Sequence, residues 1–293
     1  MVRLQIARLF GKLPYFPGQD RVLRALYSPV KVFSGKLPKA SLLVEVEGGT
    51  FSCDTASFLE WAIAVKGGEE KGLLRFFLNL CKFDTFDQFF DVGSNVGYFA
   101  IPISQHIKTT CFEPYPPNYK TLEKNINLNV NNDITSFPIA LSNDNRKFEI
   151  HLANEQCNFG LATIEQSIDS EVSDTQLIDA IVFDEAFSLV DQQLLFKIDV
   201  EGHELNVLEG MKNTLKQNHC CIYVETENKK VLQFMKDLGY SVKFMHHNLY
   251  REVRLVHSFA TGGQGHIIAT NFPLILRKQS WVESIIASLK KFI

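Results

Sequence analysis

Three stretches of the chain carry residue types whose spacing could do chemistry. In FDVGSNVGYFA, residues 90–100, an apolar run ends at Asp91. It meets a turn containing Gly93, Asn95 and Gly97, and a second apolar run at helical spacing follows. Glycine has no Cβ, so such a turn can reverse tightly and bring its backbone against a ligand. An acidic residue at its mouth repels a pyrophosphate, and the glycines are spaced G-x-x-x-G rather than G-x-G-x-x-G, so Asp91 suits an amino or sulfonium cation better. Glu113 follows the apolar TTCF and stands 20 positions beyond Gly93, a separation at which an acidic side chain can accept hydrogen bonds from ribose hydroxyls. Ala140 and Leu141, past a further apolar strand, could form a shelf for a purine or ordinary core. The third stretch, LLFKIDVEGHELNVLEGM at 194–211, sets Lys197, Asp199, Glu201, His203 and Glu204 around a strand end and a helix start.

The elements that must position these groups alternate regularly from residue 85. Apolar runs predict strands at 86–92, 109–112, 134–139, 194–200, 219–225, 241–245 and 266–270, with helices at 96–105, 117–130, 202–216 and 229–238. A short strand at 181–183 is also expected. This is a doubly wound α/β sheet, whose ligands lie at the carboxyl ends of its strands. Upstream, residues 1–40 carry Pro14, Pro17, Pro29 and Pro38 and read as a short amphipathic helix and an extended arm. A hairpin is expected about Gly48-Gly49, then a helical stretch over 56–82. In that stretch Trp61 reads as core, and GGEE at 67–70 could approach the ligand or close the core. Residues 141–152 read as an inserted hairpin and 153–176 as a long polar connection. Loops are expected over the mouth at 245–254 and 260–265, with His246, His247, His257 and His266 in that region. Residues 281–293 place Trp281, Ile285 and Leu289 on one helical stripe that docks on the domain or serves a homodimer or a membrane surface. The expected division is an N-terminal region 1–82, a main domain 83–276 and a C-terminal helix 277–293.

A chain of 293 residues, 45% hydrophobic, can bury a sizeable core, and a net charge of −3 with 22% charged residues gives no field of one sign that would argue for nucleic acid. The six cysteines show no C-x-x-C spacing, so neither a zinc site nor a disulfide framework is indicated, and they read as thiols of a reducing compartment. No window approaches the roughly 18 apolar residues of a membrane span. Charges interrupt the first residues too early for a signal peptide, and the expected location is the cytoplasm.

FDVGSNVGYFA, CFEPYPPNYKTLEKNINLN and FKIDVEGHELNVLEGM, in this order and spacing over about half of the chain, resemble the FkbM family of S-adenosylmethionine-dependent O-methyltransferases. The resemblance implies the seven-stranded, Rossmann-like methyltransferase sheet with its last strand antiparallel. It implies a cofactor, S-adenosylmethionine, whose methionyl end lies near Asp91 and Gly93 and whose ribose meets Glu113. The acceptor it suggests is a hydroxyl of a saccharide, glycoconjugate or secondary metabolite. A hydroxyl is a poor nucleophile until it loses its proton, so a base or a metal is useful. His203, in the first turn of a helix whose positive end keeps an imidazole neutral, is the candidate base. Asp199 could position the cofactor's ammonium, orient a histidine or bind a divalent ion. With Glu225 it would supply two hard oxygens of the kind magnesium takes. A nicotinamide-dependent oxidoreductase is disfavoured by Asp91 and the glycine spacing, and a non-catalytic binding module by retention of Asp91, Gly93, Glu113 and Asp199.

Overall fold

The computed structural model describes residues 1–13, 16–83, 85–153, 162–163, 172–226, 228–247, 253–256 and 266–272. The expectations for 257–265 and 281–293, including His257, fall outside them.

The N-terminal region opens with the expected short helix, α1 (Val2–Lys12), but where an extended arm was expected it forms two more, α2 (Gln19–Leu26) and α3 (Pro29–Phe33). Gly18 turns the chain at φ 88° to open α2, and Pro29 starts α3 at the position where its missing N–H is harmless. A hairpin follows, β1 (Ser41–Val46) and β2 (Gly49–Asp54). Its turn residues are Glu47 and Gly48, both at positive φ, so Gly49 already belongs to β2 and the turn sits one residue earlier than the sequence suggested. The helical stretch expected over 56–82 is made of two helices, α4 (Phe58–Lys66) and α5 (Lys71–Phe83), parted where Gly67 and Gly68 adopt φ 76° and 108°. Trp61 is fully buried and donates its indole N–H to the Tyr27 carbonyl at 2.6 Å, at the centre of a cluster with Leu4, Leu23 and Val65.

The main sheet opens with β3 (Gln88–Val92). The helix expected at 96–105 shrinks to α6 (Ala100–Ile103), since Asn95 and Gly97 sit at φ 50° and 87° and leave the preceding residues as turns. Then come β4 (Lys108–Phe112), α7 (Pro116–Asn127) and β5 (Ile134–Phe137). Next are β6 (Ala140–Ser142), β7 (Lys147–Ala153), β8 (Ala162–Thr163) and β9 (Val172–Val182), followed by α8 (Phe183–Ala186). β6 and β7 are not a hairpin. Both flank β9, β6 parallel and β7 antiparallel to it, in a separate sheet ordered β6-β9-β7-β8. The end of the expected polar connection therefore belongs to an 11-residue strand. The chain returns with β10 (Gln193–Ile198), and the helix expected at 202–216 splits at Met211 into α9 (Glu204–Gly210) and α10 (Lys212–Gln217). β11 (His219–Glu225), α11 (Lys229–Asp237), β12 (Ser241–His247), β13 (Val253–Val256) and β14 (His266–Thr270) complete the order. Within the loop expected over 245–254, the described residues at both ends belong to strands, β12 and β13, that pair with each other, with His246 and His247 in β12.

The main sheet runs β13-β12-β14-β11-β10-β3-β4-β5. β5, β4, β3, β10 and β11 are mutually parallel, while β14 inserts antiparallel between β11 and β12. This is the seven-stranded order with an antiparallel last strand, widened at one edge by β13. Because side chains alternate along a strand, Phe90, Val92, Phe196, Ile198, Ile222 and Val224 face α8–α11 in one core. Phe89, Leu195, Cys221 and Tyr223 face α5, α6 and the hairpin in another.

The turn after β3 is packed against backbone. Gly93 sits at φ 80°, and a Cβ there would lie 1.9 Å from the Asp199 carbonyl oxygen, which belongs to backbone and cannot step aside. Gly18 has a similar φ with nothing within 4 Å. Gly93→Ala should therefore cost about 3 kcal/mol or more in urea unfolding, against about 1 kcal/mol for Gly18→Ala, where only the backbone preference is lost. Equal losses would show that the close approach is not as described.

Candidate functional site

Strand parity brings the site together. Asp91 on β3, Lys197 on β10 and Tyr223 on β11 are register neighbours on the sheet face covered by α5 and α6. Two positions on, at the carboxyl ends, the same face carries Gly93, Asp199 and Glu225. Since β14 runs antiparallel to β11, its first residue, His266, lies opposite Glu225. A cavity of about 640 Å³ opens over these ends, a volume typical of small-molecule sites.

Lys197 is 3% exposed; its Nζ donates to Asp199 Oδ2 at 2.9 Å and stands 5.0 Å from the centroid of the Phe99 ring. Burial pulls its pKa down, but the charges of Asp199, Asp91 and Glu70 outweigh burial and hold it above the ordinary lysine value. Asp91 is 1% exposed, and neither carboxylate oxygen has a hydrogen-bond partner among the described residues. The Ala100 N–H inclines toward it without hydrogen-bond geometry. Burial pushes Asp91 up to about 6 despite the pull of Lys197. Burial likewise raises Glu70 and Glu201 to about 7 and Glu225 to about 8, with the Asp199 charge adding to each. Five carboxylates thus gather around one buried ammonium. On the far side of Glu225, the Tyr223 hydroxyl and His266 Nδ1 are 2.8 Å apart with their rings stacked, and that nitrogen is 3.9 Å from Glu225 Oε1.

Glu113 lies across the cavity at the end of β4. Its Oε2 accepts the Asn95 N–H at 2.8 Å and its Oε1 the Tyr115 N–H at 3.0 Å. Burial raises it to about 7, and these two hydrogen bonds limit the rise. Together with the Asn118 side chain they also fix the carboxylate's orientation, and of its roughly four acceptor sites they leave one for a ligand. Ala140, Leu141, Asn95 and Asp199 line the cavity as well. Gly97 does not. A Cβ there would press on Leu122 at 2.8 Å and Ile101 at 3.0 Å, so its place is in the packing of the turn against α6 and α7.

His203 also lines the cavity, at the N-cap of α9 rather than inside its first turn. Its Nε2 is 3.0 Å from Ser142 Oγ on β6, and its ring meets Phe148 on β7 edge to face. Burial and then the Arg146 charge lower its pKa, which keeps the ring neutral. Glu204 turns away, accepting the Gly202 N–H at 2.8 Å, and does not face the ligand. Asp199 and Glu225 do not fit a divalent ion. The Lys197 ammonium occupies one oxygen of Asp199, and no three His, Cys, Asp or Glu side chains among the described residues come together as a cage.

Lys197 as the central cation, Tyr223 and His266 were not singled out by motif. The available signal was parity: a lysine in an apolar strand, two residues before an acid at the strand end, on the same face as Asp91. GGEE does reach the ligand side, since both Glu69 and Glu70 line the cavity.

The hexuronic acid methyltransferase AglP of Haloferax volcanii is 27% identical over 180 residues, 61% of this chain and 71% of that protein. Among solved structures, methyltransferase FkbM from Methylobacillus flagellatus KT aligns with a TM-score of 0.41 and 11% identity over 92% of this chain and 58% of that one. Precorrin-6y C5,15-methyltransferase from Geobacter metallireducens GS-15 aligns with a TM-score of 0.38 and 12% identity over 68% and 86%. Residues 91–242, just over half of the chain and spanning the turn after β3, Glu113, Asp199 and His203, match the methyltransferase FkbM domain, and the chain belongs to that family of methyltransferases.

Proposed function

We propose that the protein transfers a methyl group from S-adenosylmethionine to a hydroxyl oxygen of a saccharide or glycoconjugate. The observation that carries this reading is the buried Asp91 carboxylate, without a hydrogen-bond partner among the described residues, beside Lys197 and directly beneath a cavity whose wall carries Glu70, Asp199, Glu201 and Glu225. A buried charge of that kind calls for a cation, and a ligand with an ammonium and a sulfonium supplies one. The relative named for hexuronic acid favours a saccharide acceptor. The division at 82 and 276, and a reducing, cytoplasmic setting for Cys53, Cys81, Cys111, Cys220 and Cys221, which are free thiols, accompany the proposal.

When bound, S-adenosylmethionine supplies an electrophilic methyl whose sulfur leaves as a neutral thioether. Asp91 and Asp199 hold the methionyl end by charge, and Gly93 lets the backbone approach it. Glu113 accepts the ribose hydroxyls in the direction set by Asn95 and Tyr115, and Ala140 and Leu141 give the purine an apolar wall. His203 Nε2 would take the acceptor's proton, and its ring, held neutral, is ready for that once the buried Ser142 hydroxyl gives way to the acceptor. Much of the rate comes from aligning oxygen, carbon and sulfur in a water-poor cavity.

Calorimetry with S-adenosylhomocysteine tests the cofactor. Binding is expected, weakened by about 1–3 kcal/mol in Glu113→Ala through unpaired ribose hydroxyls; no binding to the folded wild-type protein would overturn the reading. Asp91→Asn should do two opposite things. It weakens S-adenosylhomocysteine binding, and it stabilises the free protein at pH 8 by about 1–3 kcal/mol. Asp91 ionises near 3.8 in the unfolded chain and at about 6 when folded, so the wild type loses stability as pH rises between those values and the advantage of asparagine appears only above them. A gain as large at pH 4 as at pH 8 would refute the assignment. With a competent saccharide, His203→Ala should lower kcat by about 10²- to 10⁴-fold with S-adenosylhomocysteine affinity retained. The methyl introduced should survive mild alkali, as an ether does; its release as methanol would move the acceptor from hydroxyl to carboxylate.

A further inference from the structure

We infer that the outer face of the N-terminal helices docks on an anionic phospholipid bilayer. Helix α1 carries two apolar stripes. Leu4, Ala7 and Gly11 are buried against the body of the protein, so closely that a Cβ on Gly11 would meet the Val65 carbonyl oxygen at 1.8 Å. On the opposite side Val2, Ile6, Leu9 and Leu13 recur at i, i+4, i+7 and i+11, a single stripe along the helix. That stripe stands in solvent, with Val2 73% and Leu9 66% exposed. One stripe suffices to seat a helix on a domain, so the fold gives no reason for the second. Val30 and Phe33 on α3 are exposed as well, at 64% and 51%.

Charge selects what covers this face. Residues 1–40 contain eight Lys or Arg and a single acid, Asp20, in a chain whose net charge is −3. Arg3 and Lys12 flank the α1 stripe and are exposed, as are Arg21 and Arg24 around Val22 on α2. Apolar side chains entering the acyl boundary, with cations at the level of acidic headgroups, are what an interfacial helix offers. A second copy of the chain would set this cationic face against itself. Residues 273–293 carry Arg277, Lys278, Lys290 and Lys291 against Glu283 alone, so their charge does not complement it either. At 11 residues α1 is too short to cross a bilayer, and it lies along the surface. The proposal does not rest on the methyltransferase reading.

The test is flotation of the full chain with vesicles of phosphatidylcholine alone and of phosphatidylcholine mixed with phosphatidylglycerol. The protein should float with the anionic vesicles and not with the neutral ones, and added salt should release it. Val2→Glu combined with Leu9→Glu, the two most exposed positions of the stripe, should reduce the bound fraction at least about tenfold. Both side chains are exposed, so the variant's thermal unfolding should match the wild type and confirm that it folds. Equal flotation of variant and wild type, or equal binding to neutral vesicles, would overturn the proposal. So would a wild-type dimer that the variant dissociates in the absence of vesicle binding, which would give the face to a second copy.

Discussion

A lysine ammonium buried in the middle of an otherwise apolar sheet is tolerable only if carboxylates surround it, and the site is built around that demand. The acids near Lys197 come from separate regions of the chain: Asp91 from β3, Asp199 from the end of its own strand, Glu70 from the turn before α5. Each depends on a local device. The Ser94 hydroxyl donates to the Asp91 carbonyl at 2.6 Å and closes the turn after β3. The Tyr98 hydroxyl donates to the Gly67 carbonyl at 3.1 Å, and Gly68 lies so close to that ring that any side chain would collide with it. The turn between α4 and α5, which carries Glu70, and the turn after β3 are thereby fastened to each other beside the same polar centre. Desolvation makes each of these charges expensive, and their mutual attraction offsets that cost fully for the lysine and only in part for Asp91 and Glu70, which still ionise above their ordinary values.

The smaller sheet shapes the other wall. β6 presses on α9 so tightly that Gly210 has no room for a Cβ beside the Ser142 carbonyl. This contact puts Ser142 and Phe148 against His203. The insertion between β5 and β10 therefore meets the cavity through Ala140 and Leu141 of β6, through Ile150 of β7 and through its contacts with His203. Changes at Phe148 would reshape the surroundings of His203 while leaving the strands that carry Asp91 and Glu113 untouched.

Much of this was legible in the sequence where the signal is local. β11 and β14 have the bounds that their apolar runs indicate, and Glu113 stands at the end of β4, facing the cavity. Features that depend on partners distant in the chain were hidden. FKID reads as a strand ending in an acid, and nothing within it says that Lys197 will sit beside Asp91, more than a hundred residues earlier. His266 joins Glu225 only because β14 runs backwards. Only the end of β9 was expected as a strand, and its start looked like a polar connection, because its alternation is weak and its partners, β6 and β7, flank it from both sides. The helix expected after Gly97 was shortened by two left-handed residues, a backbone choice that apolar periodicity does not report.

The insertion of β14 between β11 and β12 sets an order of assembly. Synthesis delivers β11, then α11, β12 and β13, and only afterwards the strand that joins them. Until residue 266 emerges, β12 is linked to the sheet by no described strand, and β11 presents an unpaired row of N–H and C=O groups beside Cys220, Cys221, Ile222 and Val224. An apolar strand with an open edge is a template for pairing with another chain. The strand that completes the mouth of the cavity is also the one that closes this edge, so a nascent chain stalled before it is both inactive and prone to aggregate.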